Sequence, residues 1–318
     1  MEKPIVAMPF RHHASHVCEE ARKMLVDAGF ELRTNDTGRK LTEEEQFEMV
    51  KDAYAVISGT EKYDEKMISG CKNLKVMMRF GVGLDNYDLN AMKKYGVQVG
   101  VIANYNAVSE FTLMFMLNAL KNYSALDKAV RKGGWDRFPM RELTNQTVGL
   151  IGFGRIGKRL AELLVPFHVT LLVYDPYVKE EVVEEYNGKL VTMDELLTNS
   201  NVVSLHLPST KETYHIINEE SLSKMKDGAY LINTSRGALV DEKAVVKALQ
   251  SGKLAGVGLD VYEVEPVTAD NPLFEIWNTQ LTPHTAAITY ETNYNGGIIC
   301  AQSIINVKDG KEPLYPVK

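Results

Sequence analysis

Two hydrophobic periods alternate along the first hundred residues. Short, mostly apolar runs recur at 4–8, 30–34, 54–57, 74–78 and 97–101. Runs of that length, bounded by polar or glycine-containing stretches, predict strands. Between them the apolar positions fall at helical spacing. Residues 14–28 predict an amphipathic helix that stops at Gly29. Thr42, with Glu45 three residues on, predicts a capped helix through Val50, because each side chain can take the other residue's free N–H. Shorter helices are expected around Glu65 and Leu89. Strands that alternate with helices imply a parallel sheet.

The pattern then changes. Residues 107–132 predict one long helix, apolar along Val108, Phe111, Leu113, Met114, Phe115, Met116, Leu117 and Leu120, and stopped by Gly133-Gly134-Trp135. Beyond a polar arm the alternation resumes. Strands are expected at 148–151, 170–174, 202–205, 229–232, 255–259 and 280–282, and helices at 155–165, 193–197, 219–225 and 242–250. A last helix, 288–309, is expected to break at Gly296-Gly297 and to run away from the preceding block. The chain shows no internal repeat and no low-complexity segment.

One stretch carries more than periodicity. After the strand ending at Ile151 come Gly152, Gly154 and Gly157, then a helix, then a second strand ending at Asp175. In a dinucleotide-binding unit the first glycine permits the tight turn, and the second lets backbone reach the pyrophosphate. The third lets the helix lie close on the strand. The helix start offers N–H groups and a partial positive charge to phosphate. Asp175, eighteen residues beyond Gly157, stands where a carboxylate holds ribose hydroxyls. No arginine sits beside it to meet a 2′-phosphate, so NAD is favoured over NADP.

Composition narrows the field. The 318 residues allow two domains, and 45% hydrophobic with 25% charged residues is ordinary for a globular chain. A net charge of −6 argues against a nucleic-acid surface. The most apolar segment, 111–120, is about half a membrane span. Met1-Glu2-Lys3-Pro4 runs straight into a strand, so a secretion signal is not expected and a cytoplasmic location is. Cys18, Cys71 and Cys300 fit neither a zinc pattern nor a disulfide framework, and no metal is expected.

In an open parallel sheet, ligands bind beyond the carboxyl ends of the strands. The residues there are Asp175, His206, Thr234-Ser235-Arg236, Asp260 and Pro283-His284, with Glu265 on the loop after Asp260. Singly, each is more often a structural residue. Together, beside a nicotinamide site, Arg236, His284 and Glu265 form a chemically complete set. Reduction of a 2-oxo acid needs a cation for carboxylate and carbonyl, a general acid for the developing alkoxide, and benefits from a carboxylate that orients the imidazole.

These motifs, with Gly81-Val82-Gly83-Leu84-Asp85-Asn86, His206-Leu207-Pro208, Gly258-Leu259-Asp260-Val261, Glu265-Pro266 and Thr282-Pro283-His284, resemble the D-isomer-specific 2-hydroxyacid dehydrogenases, the family that includes phosphoglycerate dehydrogenase. The resemblance implies an α/β chain of two domains. Residues 1–100 and 288–318 would be a flavodoxin-like substrate (catalytic) domain, and residues 101–287 a Rossmann NAD-binding domain. It implies that Arg236 binds substrate, that His284 is the acid/base and that Glu265 is its partner. Backbone amides at Val82 and Gly83 would hold the substrate carboxylate. Arg155 and Ile156 would offer amides to the pyrophosphate, and His206, Pro208 and Thr213 would line the adenosine side. Thr234, Ser235 and Asp260 would face the cofactor, Asp260 at the nicotinamide carboxamide. A homodimer through the NAD domain and the helix 107–132 is implied as well. Ser58-Gly59-Thr60 stands where phosphoglycerate dehydrogenases carry an arginine.

The expected activity is therefore NAD-dependent interconversion of a small-molecule D-2-hydroxy acid and its 2-oxo acid, with no nucleic-acid or membrane partner. The alternative is an NAD-sensing scaffold of the same fold, as in the family's corepressor branch. An amino-acid dehydrogenase is a further rival. Arg11, His12, His13 and His16 follow the first strand. Arg11 or His12 could meet the far end of a substrate, and a solvated helix start accounts for them equally well.

Overall fold

The computed structural model describes residues 3–10, 17–102, 105–135 and 137–317. The chain divides into two compact units, 1–104 with 287–318, and 105–286. The first holds five parallel strands, β1 (Ile5–Met8), β2 (Glu31–Thr34), β3 (Ala55–Ser58), β4 (Val76–Arg79) and β5 (Gln98–Val101), in the order β2-β1-β3-β4-β5. This is the flavodoxin-like order. Helices α1 (Glu19–Asp27), α2 (Glu43–Val50), α3 (Glu65–Gly70) and α4 (Leu89–Lys94) connect the strands.

Successive strand residues face opposite sides, and both sides are covered. Val6, Met8, Ile57 and Met78 pack with Phe30, Leu25 and Ile304 on one face. Ala7, Val56, Met77 and Val99 pack with Val50, Ile68 and Met92 on the other. That double burial explains why β1, β3 and β4 read as mostly apolar runs, whereas the edge strand β2, Glu31–Thr34, buries none of its residues. The capping box at Thr42 and Glu45 forms in both directions.

Two expectations need correction. The C-terminal helix, Tyr290–Lys308, runs unbroken through Gly296-Gly297. The glycines mark close approach rather than a break. A Cβ at 296 would lie 3.0 Å from the Phe80 ring, and one at 297 would lie 3.1 Å from the Cys18 amide. The helix expected at 107–132 is two, α5 (Asn106–Lys121) and α6 (Tyr123–Arg131). Asn122 separates them at φ +48°, a left-handed conformation that asparagine tolerates better than most residues. The described part of the first expected helix begins later than residue 14, and residues 11–16 lie outside the described residues.

The second unit holds β6 (Thr147–Ile151), β7 (Thr170–Tyr174), β8 (Gly188–Leu190), β9 (Val202–Leu205), β10 (Ala229–Asn233), β11 (Leu254–Leu259) and β12 (Thr279–Leu281). All are parallel, in the order β12-β11-β10-β9-β6-β7-β8. The order reverses at β6, the switch point of a Rossmann sheet. Helices α7 (Arg155–Leu164), α8 (Glu180–Glu184), α9 (Met193–Asn199), α10 (Glu219–Lys224) and α11 (Glu242–Gln250) lie between strands. Phe115 and Met116 of α5 and Leu160 of α7 cover one face with Leu150, Val173 and Ile232. Leu196, Leu222 and Val245 cover the other with Val203, Leu231 and Val257. The edge strand β8 and the one-turn α8 are too short to show a period in the sequence.

Candidate active site

The glycine turn has the geometry that a dinucleotide needs. Gly152 sits at φ +96°, and a Cβ there would lie 2.7 Å from the carbonyl of His206. A Cβ on Gly157 would meet the Gly152 carbonyl at 2.7 Å, so α7 can lie this close only with glycine. Beside Gly154, by contrast, an added Cβ would meet nothing within 4 Å. That open space adjoins the start of α7. The first helical bond of α7 runs from the Lys158 amide to the Gly154 carbonyl, so the amides of Arg155, Ile156 and Gly157 precede the ladder. Asp175, at the end of β7, accepts the amides of Phe153 at 2.8 Å and Tyr177 at 2.9 Å, one on each oxygen. It thereby ties the glycine turn to the next strand and keeps lone pairs for a ribose.

His206 follows β9. Both of its ring nitrogens are buried and have no hydrogen-bond partner among the described residues. Burial pushes its pKa down to about 4, so the ring is neutral near pH 7. Beyond it, the Thr213 hydroxyl donates to the Pro208 carbonyl at 2.8 Å and accepts the Thr210 amide at 2.8 Å. These bonds shape the loop that lies next to the glycine turn.

Three adjacent strands end in the remaining residues. Asn233, buried at the end of β10, accepts the Ser235 amide at 3.0 Å and donates to the Arg236 carbonyl at 2.8 Å. It moulds the turn that presents Arg236, which is partly buried. The Thr234 hydroxyl pairs with that of Thr112 on α5 at 2.8 Å. Gly237 then packs on the loop after β11, where a Cβ would stand 1.8 Å from the Tyr262 carbonyl oxygen. Asn233, Thr112 and Tyr262 did not stand out in the sequence, because their parts are hydrogen bonds to backbone or to distant segments.

On that loop, Glu265 takes the Tyr262 amide on Oε1 at 3.0 Å and places Oε2 2.7 Å from Nδ1 of His284. Both side chains are partly solvent-exposed, 36% for Glu265 and 50% for His284. Burial pushes the Tyr262 phenol up to about 12, so it stays a donor, and it donates to the Thr282 carbonyl at 3.1 Å. Asp260 is buried and accepts Thr282 Oγ1, the Thr285 amide and the Ala286 amide. Arg236, Asp260, Glu265 and His284 thus all lie just beyond the carboxyl ends of β10, β11 and β12.

Val82 and Gly83 belong to the other unit, in the turn after β4. Arg79 braces that turn, with Nε donating to the Gly83 carbonyl at 2.9 Å and Nη1 to the Gly59 carbonyl. Ser58 is fully buried and pairs with the Tyr87 hydroxyl. Glu61 accepts the Gly59 amide at 2.7 Å. Arg11, His12, His13 and His16 lie outside the described residues. Among the described residues no group of three or more His, Cys, Asp or Glu side chains could hold a metal ion. Nor, among them, is any helix long and apolar enough to cross a membrane.

The chain is similar to known proteins over most of its length. The model of the D-isomer specific 2-hydroxyacid dehydrogenase NAD-binding domain matches residues 113–286. The chain is 39% identical over 301 residues to D-3-phosphoglycerate dehydrogenase of Archaeoglobus fulgidus, covering 93% of this chain and 57% of that protein. It is 40% identical over 265 residues to glyoxylate reductase of Thermofilum pendens, covering 80% of this chain and 78% of that one. The structure superposes on D-lactate dehydrogenase of Aquifex aeolicus complexed with NAD and lactic acid, with a TM-score of 0.82, 32% identity and 96% of each chain covered. The second unit is therefore an NAD-binding domain. The chain belongs to the D-isomer-specific 2-hydroxyacid dehydrogenase family. It spans little more than half the length of the Archaeoglobus relative.

Proposed function

We propose that this chain interconverts a D-2-hydroxy acid and its 2-oxo acid, with NAD as the hydride carrier. The observation that carries this reading is the pair of Glu265 Oε2 and His284 Nδ1 at 2.7 Å, beyond the same sheet edge as Arg236. NAD(H), when bound, would supply the hydride chemistry at C2 of the acid. Gly152, Gly154 and Gly157, with the amides of Arg155 and Ile156, hold its pyrophosphate. Asp175 holds the adenosine ribose, and His206, Pro208 and Thr213 line that side. Thr234, Ser235 and Asp260 border the nicotinamide end.

The chain's own chemistry is proton transfer and charge stabilisation. Arg236 binds the substrate carboxylate and the carbonyl oxygen, on which negative charge grows during reduction. The family resemblance also implies carboxylate-binding amides at Val82 and Gly83, in the turn after β4. With Nδ1 engaged by Glu265, Nε2 of His284 gives its proton to the carbonyl oxygen in reduction and takes it back in oxidation. Glu265 fixes the ring's orientation through the Oε2–Nδ1 contact at 2.7 Å.

Ser58 supports a substrate without a phosphate. It is buried and paired with Tyr87 at the place where phosphoglycerate dehydrogenases carry an arginine. A cytoplasmic homodimer completes the reading. In its favour, α6 buries none of its residues, and Tyr123, Val130 and Trp135 nearby are exposed.

The test is substitution at the site. His284→Ala and Arg236→Ala should each lower turnover by about a hundred-fold or more, with NADH affinity little changed. Near-normal turnover in either variant would defeat the mechanism. An NAD-sensing scaffold would not need the Arg236, Glu265 and His284 set.

A further inference from the structure

The loop that carries Glu265 has a second support. After β11 the chain runs Asp260-Val261-Tyr262-Glu263-Val264-Glu265-Pro266. Glu263 places Oε1 2.6 Å from Nε2 of His215. Its Oε2 accepts the Glu242 amide at 3.1 Å, while its own amide donates to Glu242 Oε1 at 2.6 Å. Glu242 is the first residue of α11, so Glu263 meets one of the N–H groups that a helix start leaves free. Asn271 donates to the other Glu242 oxygen at 3.1 Å.

His215 is itself held. Its backbone is left-handed, at φ +48°, a conformation that an L residue keeps only where its surroundings enforce it. Its amide donates to the Ala238 carbonyl at 2.9 Å, and its carbonyl accepts Nδ2 of Asn218 at 3.0 Å. The Tyr214 ring stacks on its imidazole, with centroids 4.0 Å apart and planes 14° apart. The side chains of His215 and Glu263 are only 24% and 27% exposed.

These contacts join two parts of the site. Ala238 lies two residues after Arg236, and Glu263 lies two residues before Glu265. Gly237 packs against the Tyr262 backbone between them. From this geometry we infer that His215 and Glu263 are a positioning pair, which holds the loop carrying Glu265 at a fixed offset from the turn carrying Arg236. The inference rests on the reading of Glu265 and His284 as the acid/base dyad. Neither His215 nor Glu263 touches the reacting atoms. The pair joins one loop to one turn, so its effect is local. Without it, Glu265 is held by the Tyr262 amide at 3.0 Å and by its own covalent neighbours, and it aligns His284 less well.

The experiment uses the whole chain, NADH and the best 2-oxo acid, with His215→Ala, Glu263→Ala, Glu263→Gln, the double alanine variant and His284→Ala measured together. His215→Ala and Glu263→Ala should lower kcat about ten-fold, with the KM for the 2-oxo acid and the Kd for NADH within about two-fold. Glu263→Gln keeps the shape and a hydrogen bond, and should recover most of kcat. The double variant should be no worse than either single one. The inference is overturned if His284→Ala is inactive while the His215 and Glu263 variants match the parent in kcat, or if Glu263→Gln is as impaired as Glu263→Ala. It is also overturned if they lose NADH affinity in proportion to kcat, or fail to fold, since either result makes the pair a general support. Normal turnover by His284→Ala would instead defeat the dyad reading itself.

Discussion

The main chain of His284 is anchored on Asp260. The His284 amide donates to the Asp260 carbonyl at 2.7 Å, and the Asp260 carboxylate accepts the next two amides, Thr285 at 2.8 Å and Ala286 at 2.9 Å. It also takes the Thr282 hydroxyl at 2.5 Å. His284 itself sits at φ +50°, a conformation that costs an L residue about 1–2 kcal/mol and persists only where neighbours enforce it. Asp260 therefore fixes the turn that presents the imidazole, whatever it does toward the cofactor.

Asp260→Ala strips three buried or half-buried donors of their acceptor. A loss of about 2–4 kcal/mol of stability is expected, with a fall in turnover. Denaturant unfolding and kcat on the same preparations check both. A variant as stable as the parent would show that the turn holds without its carboxylate.

Two glycines should respond in opposite ways to alanine. At Gly237 the new Cβ would fall 1.8 Å from the Tyr262 carbonyl oxygen, so the loop after β11 must move. A loss of about 3 kcal/mol or more is expected. At Gly154 the Cβ would meet nothing within 4 Å, and φ is −75°. Its thermal midpoint should stay near that of the parent, while the NADH Kd rises about ten-fold or more, because the methyl occupies the approach of the pyrophosphate. Thermal scans and NADH titration separate the two outcomes.

The buried His206 makes the free protein sensitive to mild acid. Its folded pKa of about 4 lies below the ordinary unfolded value of about 6.5. Above the unfolded value the ring is neutral in both states and carries no pH-dependent penalty. As pH falls from there towards the folded value, the unfolded chain takes up a proton that the native state refuses, and stability drops by up to about 3 kcal/mol. Unfolding free energies across that window, compared with those of His206→Leu, should show a shallower slope for the variant. Equal slopes would mean that the ring is hydrated or paired in solution.

Asp175 should decide between dinucleotides. On the proposed reading its carboxylate would meet a 2′-phosphate, so kcat/KM with NADPH should fall at least about a hundred-fold below that with NADH. Asp175→Ala should narrow the ratio, mainly by weakening NADH. A strong preference of the parent for NADPH would contradict this placement.

Much of this was legible before any coordinates. Buried strands announce themselves because both faces are covered, and the glycine turn because close approaches at Gly152 and Gly157 demand glycine at fixed spacing. The residues at strand ends could be read once the sheet was taken as parallel. Other features could not be read, for physical reasons. A single left-handed residue, Asn122, splits a helix without disturbing its apolar stripe. Glycines at 296 and 297 look like a break until the Phe80 ring and the Cys18 amide are seen against them. Tyr262, His215 and Glu263 act through contacts between segments tens of residues apart, and no local pattern records those.

The most direct test of the central claim is the rate at which the full chain consumes NADH across a panel of 2-oxo acids, with the chirality of the product determined. The panel should run from glyoxylate and pyruvate through hydroxypyruvate and its phosphorylated form to branched and dicarboxylic acids. Saturable turnover of at least one unphosphorylated 2-oxo acid to the D-2-hydroxy acid is the expected result. NADH binding without turnover of any of them would contradict the account and leave the scaffold reading in its place.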